Sequence, residues 1–211
     1  MKAFIRTQCS PARPPLVPEI ELFLATEITP IWQATELWLQ KQNMAPPFWA
    51  FAWPGSQVLA RHVLDHPELV GGRRVLDFAA GGGLAAIACA RAGATSVEAA
   101  EIDPVAVEAI ELNAGLNGAS VAATGVDLVG ADCRWDVILC GDVCYEGPMT
   151  RHIMPWLRRM AATAEVLVAD PGRAYLPSDG FLEVGRYSVP TSLELEDRVV
   201  RETRLLRLVG S

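Results

Sequence analysis

Residues 73–92 read RRVLDFAAGGGLAAIACARA and combine three local signals in succession. The apolar run at 73–79 is typical of a short buried strand. Gly81, Gly82 and Gly83 predict a loop whose backbone a ligand can approach closely. The alanine-rich segment 84–92 predicts a helix, and Gly93 stands where a helix ends. The stretch therefore predicts a strand, a glycine loop and a helix, with the loop at the helix N-terminus, where backbone N–H groups can bind a ligand.

Strand and helix signals alternate after this unit. Helices are predicted from the Asp103-Pro104 cap to about residue 118 and over 149–160. Two final strand-like runs have no helix between them, which predicts an antiparallel hairpin at a sheet edge. We therefore predict an α/β fold: a Rossmann-like, doubly wound, mostly parallel seven-stranded sheet with a C-terminal antiparallel hairpin. The strands are predicted at 73–79, 96–102, 121–126, 135–141, 165–169, 181–189 and 198–209.

The N-terminal quarter of the chain carries other signals. Thr29 and Pro30 precede apolar residues at helical spacing and predict a helix over 29–42. Segment 44–55 is rich in proline and aromatic residues and is predicted to be irregular but packed. Ser56 is predicted to cap a helix that reaches about His66. The first 20 residues hold four prolines and no helical apolar stripe, which predicts an irregular arm lying on the domain.

Composition limits the class of protein. Hydrophobic residues make up 51% and charged residues 20% of the chain, a globular balance. Eighteen Lys and Arg against 25 Asp and Glu give a net charge of −7, which argues against nucleic acid as the main partner. No apolar run is long enough for a membrane span. Five cysteines, without a CxxC pair, favour a reducing compartment, so we expect a cytoplasmic protein. No metal site is expected, because His62 and His66 have no third ligand nearby.

The glycine loop admits two kinds of ligand. Gly81, Gly83 and Ala86 satisfy a dinucleotide fingerprint, and Glu101, 20 residues after Gly81, is placed to bind ribose hydroxyls. Asp77 separates the alternatives, because a carboxylate pointing at the loop would repel a pyrophosphate. S-adenosylmethionine has no phosphate and carries a positive ammonium and a positive sulfonium. The sequence therefore favours S-adenosylmethionine over NAD, with a dehydrogenase as the less favoured alternative.

Two motifs carry a family resemblance. VLDFAAGGGLAAIA (75–88) and VEAAEIDPVAVEAIELNAGLNG (97–118) resemble the cofactor motifs of seven-strand S-adenosylmethionine-dependent methyltransferases. Ala79 departs from the family's first glycine, a change that costs little if its φ is negative. The resemblance covers nearly the whole chain and implies a set of cofactor-binding residues: Asp77, Ala79, Gly81, Gly82, Gly83, Glu101, Ile102, Asp127 near the adenine amino group, and Trp53 beside the cofactor.

The segment after the fourth strand of the predicted core bears on the methyl acceptor. Asp142 and Tyr145 form a D-x-x-Y motif that resembles the branch methylating protein lysines. The flanking stretches PPFWAFAWPGSQVLARHVLDHPEL (46–69) and VADPGRAYLP (168–177) resemble the electron-transfer-flavoprotein β-subunit lysine methyltransferases, bacterial members included. The resemblance implies Asp142 and Tyr145 as catalytic residues. We expect Asp142 to attract and orient a lysine ammonium rather than to deprotonate it, since a carboxylate raises the pKa of a nearby amine.

The leading hypothesis is a protein-lysine N-methyltransferase acting on electron-transfer flavoprotein β subunit, a ribosomal protein, or both, with no nucleic-acid or membrane partner. The alternatives are a small-molecule N-methyltransferase and a non-catalytic S-adenosylmethionine-binding partner. We expect one methyltransferase domain over 1–211, with an N-terminal arm and helix at 1–55 and a cofactor-binding and catalytic core at 56–211.

Overall fold

A computed structural model describes residues 1–25, 46–191, 196 and 198–210. The helix predicted at 29–42 and the first two residues of segment 44–55 lie outside the described residues. None of the described helices is long and apolar enough to cross a membrane.

The described strands form a seven-stranded sheet in the order β5-β4-β3-β6-β7-β9-β8 and a separate two-stranded sheet, β1-β2. Strands β3 to β7 are parallel to one another, while β9 is antiparallel to both β7 and β8. The predicted fold class is therefore confirmed. The strands are β1 (Ser10–Ala12), β2 (Leu22–Leu24), β3 (Arg74–Phe78), β4 (Ser96–Ala100), β5 (Ala122–Thr124), β6 (Val137–Gly141), β7 (Glu165–Asp170), β8 (Phe181–Pro190) and β9 (Val200–Leu208).

Five α-helices are described: α1 (Lys2–Gln8), α2 (Pro54–Asp65), α3 (Leu84–Arg91), α4 (Pro104–Leu116) and α5 (Gly147–Met160). The Asp103 carboxylate accepts the Val105 N–H and caps α4 as predicted. The predicted cap at Ser56 is wrong, because α2 begins two residues earlier, at Pro54, with Trp53 as N-cap. Proline at the first helical position has the φ that a helix needs and no N–H to leave unpaired.

Alternate residues of the central strands pack on opposite faces of the sheet. On one face, Val75 and Leu139 pack with Leu59 of α2 and Ile87 of α3. On the other face, the next residues along β3 and β6 pack with Ile153, Trp156 and Leu157 of α5. Burial on both faces explains why these strands are continuously apolar rather than alternating.

The N-terminal arm is more regular than predicted. Instead of an irregular segment, it forms α1 and the antiparallel β1–β2 pair, with Ile5 fully buried. Two asparagines one turn apart bind the arm: Asn113 of α4 accepts the Phe23 N–H, and Asn117, the C-cap of α4, accepts the Glu21 N–H. These side chains satisfy backbone groups that a two-stranded pair leaves open, so a segment with weak local signals becomes ordered.

Candidate active site

A cavity of about 480 Å³ opens at the carboxyl ends of the parallel strands. Its lining includes the last residues of β3, β4 and β6, which are Phe78, Ala100 and Gly141. The sheet order reverses between β3 and β6, and ligands bind at such a switch point in open α/β sheets. Eight predicted site residues line this cavity: Trp53, Ala79, Gly81, Glu101, Ile102, Asp127, Asp142 and Tyr145. Three others, Asp77, Gly82 and Gly83, lie near it without lining it.

The glycine loop turns sharply between β3 and α3. Ala79 has a φ of +55°, so the condition of a negative φ is not met. Its backbone lies in the left-handed region that favours glycine. Gly82 lies against the backbone of Trp49, where a Cβ would come within 3.0 Å of the carbonyl oxygen. The loop is thus held between β3 and the short 3₁₀ turn at Phe48–Ala50.

Asp77 takes a different direction from the one expected. Its side chain is buried and accepts the Ala86 N–H at 2.9 Å, in the first turn of α3. Burial raises the pKa of this carboxyl to about 7. Asp77 therefore fixes the helix end that carries the glycine loop, rather than pointing into the cavity.

Glu101 lines the cavity and is held rigidly by the backbone. One carboxylate oxygen accepts the Gly81 N–H at 3.1 Å, and the other accepts the Ile102 N–H at 2.8 Å. Burial raises its pKa, and these backbone hydrogen bonds oppose that rise. The carboxylate links the glycine loop to the end of β4, and its remaining acceptor capacity suits two adjacent hydroxyl groups.

Two large apolar side chains are open to solvent at one part of this lining. Ile102 is 72% exposed and Val126 is 60% exposed, values that are high for such residues. Next to them, Asp127 contacts His152 of α5, with 3.2 Å between Oδ2 and Nε2. Exposed apolar surface beside a polar group suits a flat heteroaromatic ring that also makes hydrogen bonds.

Aromatic side chains form another part of the wall. Phe48 contacts Trp53 and Tyr145 edge to face, with ring centroids 5.9 and 5.5 Å apart. The Trp53 indole N–H donates to the Phe48 carbonyl oxygen, which fixes its ring. Burial raises the pKa of Tyr145, so its hydroxyl group stays protonated and can donate a hydrogen bond.

Asp142 follows β6 with a φ of +55° and is only 8% exposed. Its Oδ2 accepts the Gly55 N–H at 2.5 Å, and its Oδ1 accepts two N–H groups of Arg173 at 2.7 and 3.0 Å. Burial raises the pKa of Asp142 to about 6, although Arg173 opposes the rise. Asp142 was expected to attract an ammonium, but the protein already supplies a cation, so an incoming ammonium would share the carboxylate with a guanidinium.

Three residues of this region were not identified from the sequence. Arg173 lies in segment 168–177, which carries part of the family resemblance. Its pairing with Asp142 spans 31 residues and therefore leaves no local signal in the sequence. His152 faces the cavity because one side of α5 packs on the sheet. Asn113 is fully buried and donates to the Gly82 carbonyl oxygen at 2.8 Å. A polar residue inside the apolar face of a predicted helix was the one signal that could have identified it.

The residues present fit S-adenosylmethionine. Among the described residues that line the cavity, the carboxylates of Glu101, Asp103, Asp127 and Asp142 stand against one guanidinium, that of Arg173. This balance favours a positively charged ligand over a pyrophosphate. Glu101 suits ribose hydroxyls, and the surface at Ile102 and Val126 suits adenine. Among the described residues, no group of three or more His, Cys, Asp or Glu could hold a metal ion.

Solved methyltransferase structures share this fold. The 16S rRNA N2 G1207 methyltransferase of T. thermophilus, solved with AdoMet and guanosine, gives a TM-score of 0.60 over 96% of this chain and 50% of its own, at 16% identity. Magnesium protoporphyrin IX methyltransferase from Synechocystis PCC 6803, solved with SAM, gives a TM-score of 0.55. The match covers 86% of this chain and 93% of that chain, at 17% identity. The chain therefore has the fold of these S-adenosylmethionine-dependent methyltransferases.

Sequence relatives narrow the class to a family. The profile of the ribosomal protein L11 methyltransferase family matches residues 59–141. The electron transfer flavoprotein beta subunit lysine methyltransferase of Xenopus laevis is 38% identical over 205 residues, which are 93% of this chain and 82% of the frog protein. The human protein of that name is 37% identical over 164 residues, 75% of this chain and 61% of its own length. The chain belongs to this family of protein-lysine methyltransferases, which confirms the family predicted from the sequence.

Proposed function

We propose that this protein transfers a methyl group from S-adenosylmethionine to a lysine ε-amino group of electron transfer flavoprotein β subunit. The observation that carries the proposal is the extent of the match to the frog enzyme, which covers 93% of this chain and so includes both the glycine loop and the Asp142 segment. A ribosomal protein is the second candidate substrate. The Bacillus cereus ribosomal protein L11 methyltransferase is 48% identical, but over only 46 residues, 22% of this chain.

The cofactor would be held by residues at one end of the cavity. Glu101 would bind the ribose hydroxyls, Ile102 and Val126 would flank the adenine, and Asp127 would accept from its amino group. When bound, S-adenosylmethionine supplies a methyl group on a positively charged sulfur. Phe48, Trp53 and Tyr145 would exclude water from the acceptor side and limit the positions of an incoming side chain.

The acceptor lysine must lose a proton before it can react, because its ordinary pKa is about 10.4. Asp142, with a pKa of about 6, is a weak base for this task, and both of its oxygens already accept hydrogen bonds. We therefore propose that Asp142 positions the lysine and the surrounding wall. Alignment of reactants by itself can supply a large part of a rate acceleration.

The proposed substrate is tested by incubating the purified enzyme and S-adenosylmethionine with three acceptors in separate reactions: electron transfer flavoprotein β subunit, ribosomal protein L11, and free lysine. Mass spectrometry of peptides should find methylated lysine in the flavoprotein subunit. Methylation of L11 alone would select the second candidate, and methylation of free lysine alone would favour a small-molecule enzyme. No methylation in any reaction would favour a non-catalytic binding partner.

The role of Asp142 is tested with Asp142→Asn, which keeps the shape of the side chain and removes its charge. We expect unchanged affinity for S-adenosylhomocysteine and an increase of at least about tenfold in apparent KM for the protein substrate, because the variant leaves the charge of Arg173 uncompensated beside the acceptor position. Asp127→Asn is the matched control, because it removes a carboxylate from the cofactor end and should weaken cofactor binding instead. If Asp142→Asn abolished single-turnover methyl transfer at saturating substrate, proton acceptance would become the better account.

We further propose a cytoplasmic location and a single working domain over residues 1–211. All five cysteines lie within the described residues and are free thiols, which supports a reducing compartment. The net charge of −7 supports a protein partner rather than a nucleic acid or an anionic membrane surface.

A further inference from the structure

Arg173 lies in the loop that follows β7, and backbone hydrogen bonds fix this loop. The Oδ1 atom of Asp170 accepts the N–H groups of Gly172 and Arg173, both at 2.7 Å. Such a turn holds the loop in one conformation without help from the side chains beyond it. The Arg173 side chain is 19% exposed and lines the cavity.

The guanidinium of Arg173 joins two carboxylates that lie far apart in sequence. Its Nη2 lies 2.7 Å from Asp142 Oδ1 and 2.7 Å from Glu196 Oε1, and its Nε lies 3.0 Å from the same Asp142 oxygen. Glu196 is itself buried and is also paired with Arg201 at 2.9 Å. The result is an alternating row of charges, Asp142–Arg173–Glu196–Arg201, that begins at the cavity wall.

The groups around Asp142 would leave its charge poorly compensated without Arg173. Burial and the nearby carboxylate of Asp170 both raise the pKa of Asp142, whereas Arg173 and the Gly55 N–H lower it. The groups facing Asp142 are Arg173 and Asp170 from β7 and its loop, Cys144 before α5, the Gly55 N–H at the start of α2, and Glu196 beyond Arg173.

We propose, building on the proposed function, that Arg173 is a positioning residue for methyl transfer, which neutralises and orients Asp142 so that the incoming lysine is not held as an ammonium ion. A carboxylate that faced the amine without a partner would stabilise the protonated amine, which has no lone pair to react. Asp142 shared with a guanidinium keeps its place at the end of β6 and against Gly55, while its field at the acceptor position is small. Arg173 thus acts on the reaction through Asp142.

Glu196 weakens the pairing of Arg173 with Asp142, because it binds the same guanidinium. It takes part of the positive charge that Arg173 would otherwise direct at Asp142. Removing the charge of Glu196 should therefore change Asp142 in the opposite direction to removing the charge of Arg173. This opposition separates an electrostatic role from a loss of structure, because a damaged fold would not reverse its sign.

The test compares Arg173→Gln, Arg173→Lys and Glu196→Gln with the wild type. Arg207→Gln is the matched control. It breaks an arginine–carboxylate pair between Arg207 of β9 and Glu165 of β7, and neither residue lines the cavity. The first measurement is a ¹³C NMR titration of aspartate carboxyl groups in the protein alone, with the Asp142 signal assigned from Asp142→Asn. The second is the pH dependence of single-turnover methylation of electron transfer flavoprotein β subunit.

In Arg173→Gln the pKa of Asp142 should rise above about 6, and in Glu196→Gln it should fall. The rate should rise with pH as the acceptor lysine loses its proton. In Arg173→Gln this rise should move up by about one pH unit, so that the rate is about tenfold lower at neutral pH and recovers at higher pH. Arg173→Lys should recover part of both effects, because it restores the charge without the planar fork. The control should match the wild type in both measurements.

An Asp142 pKa that is unchanged in Arg173→Gln would overturn the inference, whether or not the wild type methylates the flavoprotein subunit. A rate loss that is uniform at every pH would overturn it as well. An inactive wild type would count against the proposed function, and the titration of the free protein would then decide the Arg173–Asp142 pairing separately. If Arg173→Gln did not fold, the opposite shifts expected in Arg173→Lys and Glu196→Gln would decide the question.

Discussion

Gly55→Ala is expected to destabilise the protein strongly, because the first turn of α2 lies directly against the end of β6. A Cβ at this position would lie 2.5 Å from Asp142 Oδ2, 2.6 Å from the Ala169 carbonyl oxygen and 2.7 Å from the Asp142 nitrogen. Two of these atoms belong to the backbone, so the helix itself must move. Overpacking of this kind costs about 1–3 kcal/mol. Loss of the hydrogen bond from Gly55 to a carboxylate costs about 1.5–3 kcal/mol more.

Together these costs predict a decrease of about 2.5–6 kcal/mol in the free energy of unfolding, a large part of the about 5–15 kcal/mol typical of a domain. Urea unfolding followed by circular dichroism measures this decrease. Gly115→Ala is the matched control, because Gly115 lies in α4 and, apart from its own turn of helix, no atom of the described residues lies within 4 Å of the added Cβ. It should leave stability unchanged or raise it by up to about 1 kcal/mol. A Gly55→Ala variant within about 0.5 kcal/mol of the wild type would refute the close contact between α2 and β6.

Three other variants test the cofactor end and its support. Glu101→Ala should weaken S-adenosylhomocysteine binding by about 1–3 kcal/mol in calorimetry, and tight NAD binding by the wild type would contradict the cofactor assignment. Because the folded-state pKa of Asp77 is raised to about 7, its stabilising contribution is complete below about pH 4 and is lost as pH rises to about 7. In urea unfolding between about pH 4 and pH 7, Asp77→Asn should make the free energy of unfolding fall less steeply with pH than in the wild type. An unchanged slope of this free energy against pH would show that Asp77 is ionised throughout. Asn113→Ala should lower the free energy of unfolding by about 2–4 kcal/mol, because it leaves the Phe23 N–H and the Gly82 carbonyl unpaired. A smaller loss would mean that water replaces the amide.

Local signals in the sequence determined most of the fold. The continuous apolar runs are sufficient to predict the parallel strands, because burial on both faces removes the need for alternation. Asp103-Pro104 predicts the start of α4 because a cap depends only on neighbouring residues. The glycine loop followed by Glu101 predicts where a cofactor binds, since the end of one strand and the end of its neighbour meet at the same edge of a sheet.

Tertiary structure alone decided the environment of the site residues. Ala79 resembles any alanine in the sequence, yet packing of the loop places it at a φ of +55°. Asp142 is recognisable as a motif residue, but its partners lie 87 residues before it, at Gly55, and 31 residues after it, at Arg173. The protonation and charge of a buried carboxyl depend on the groups that the folded chain brings within a few ångströms, and sequence spacing does not contain those distances.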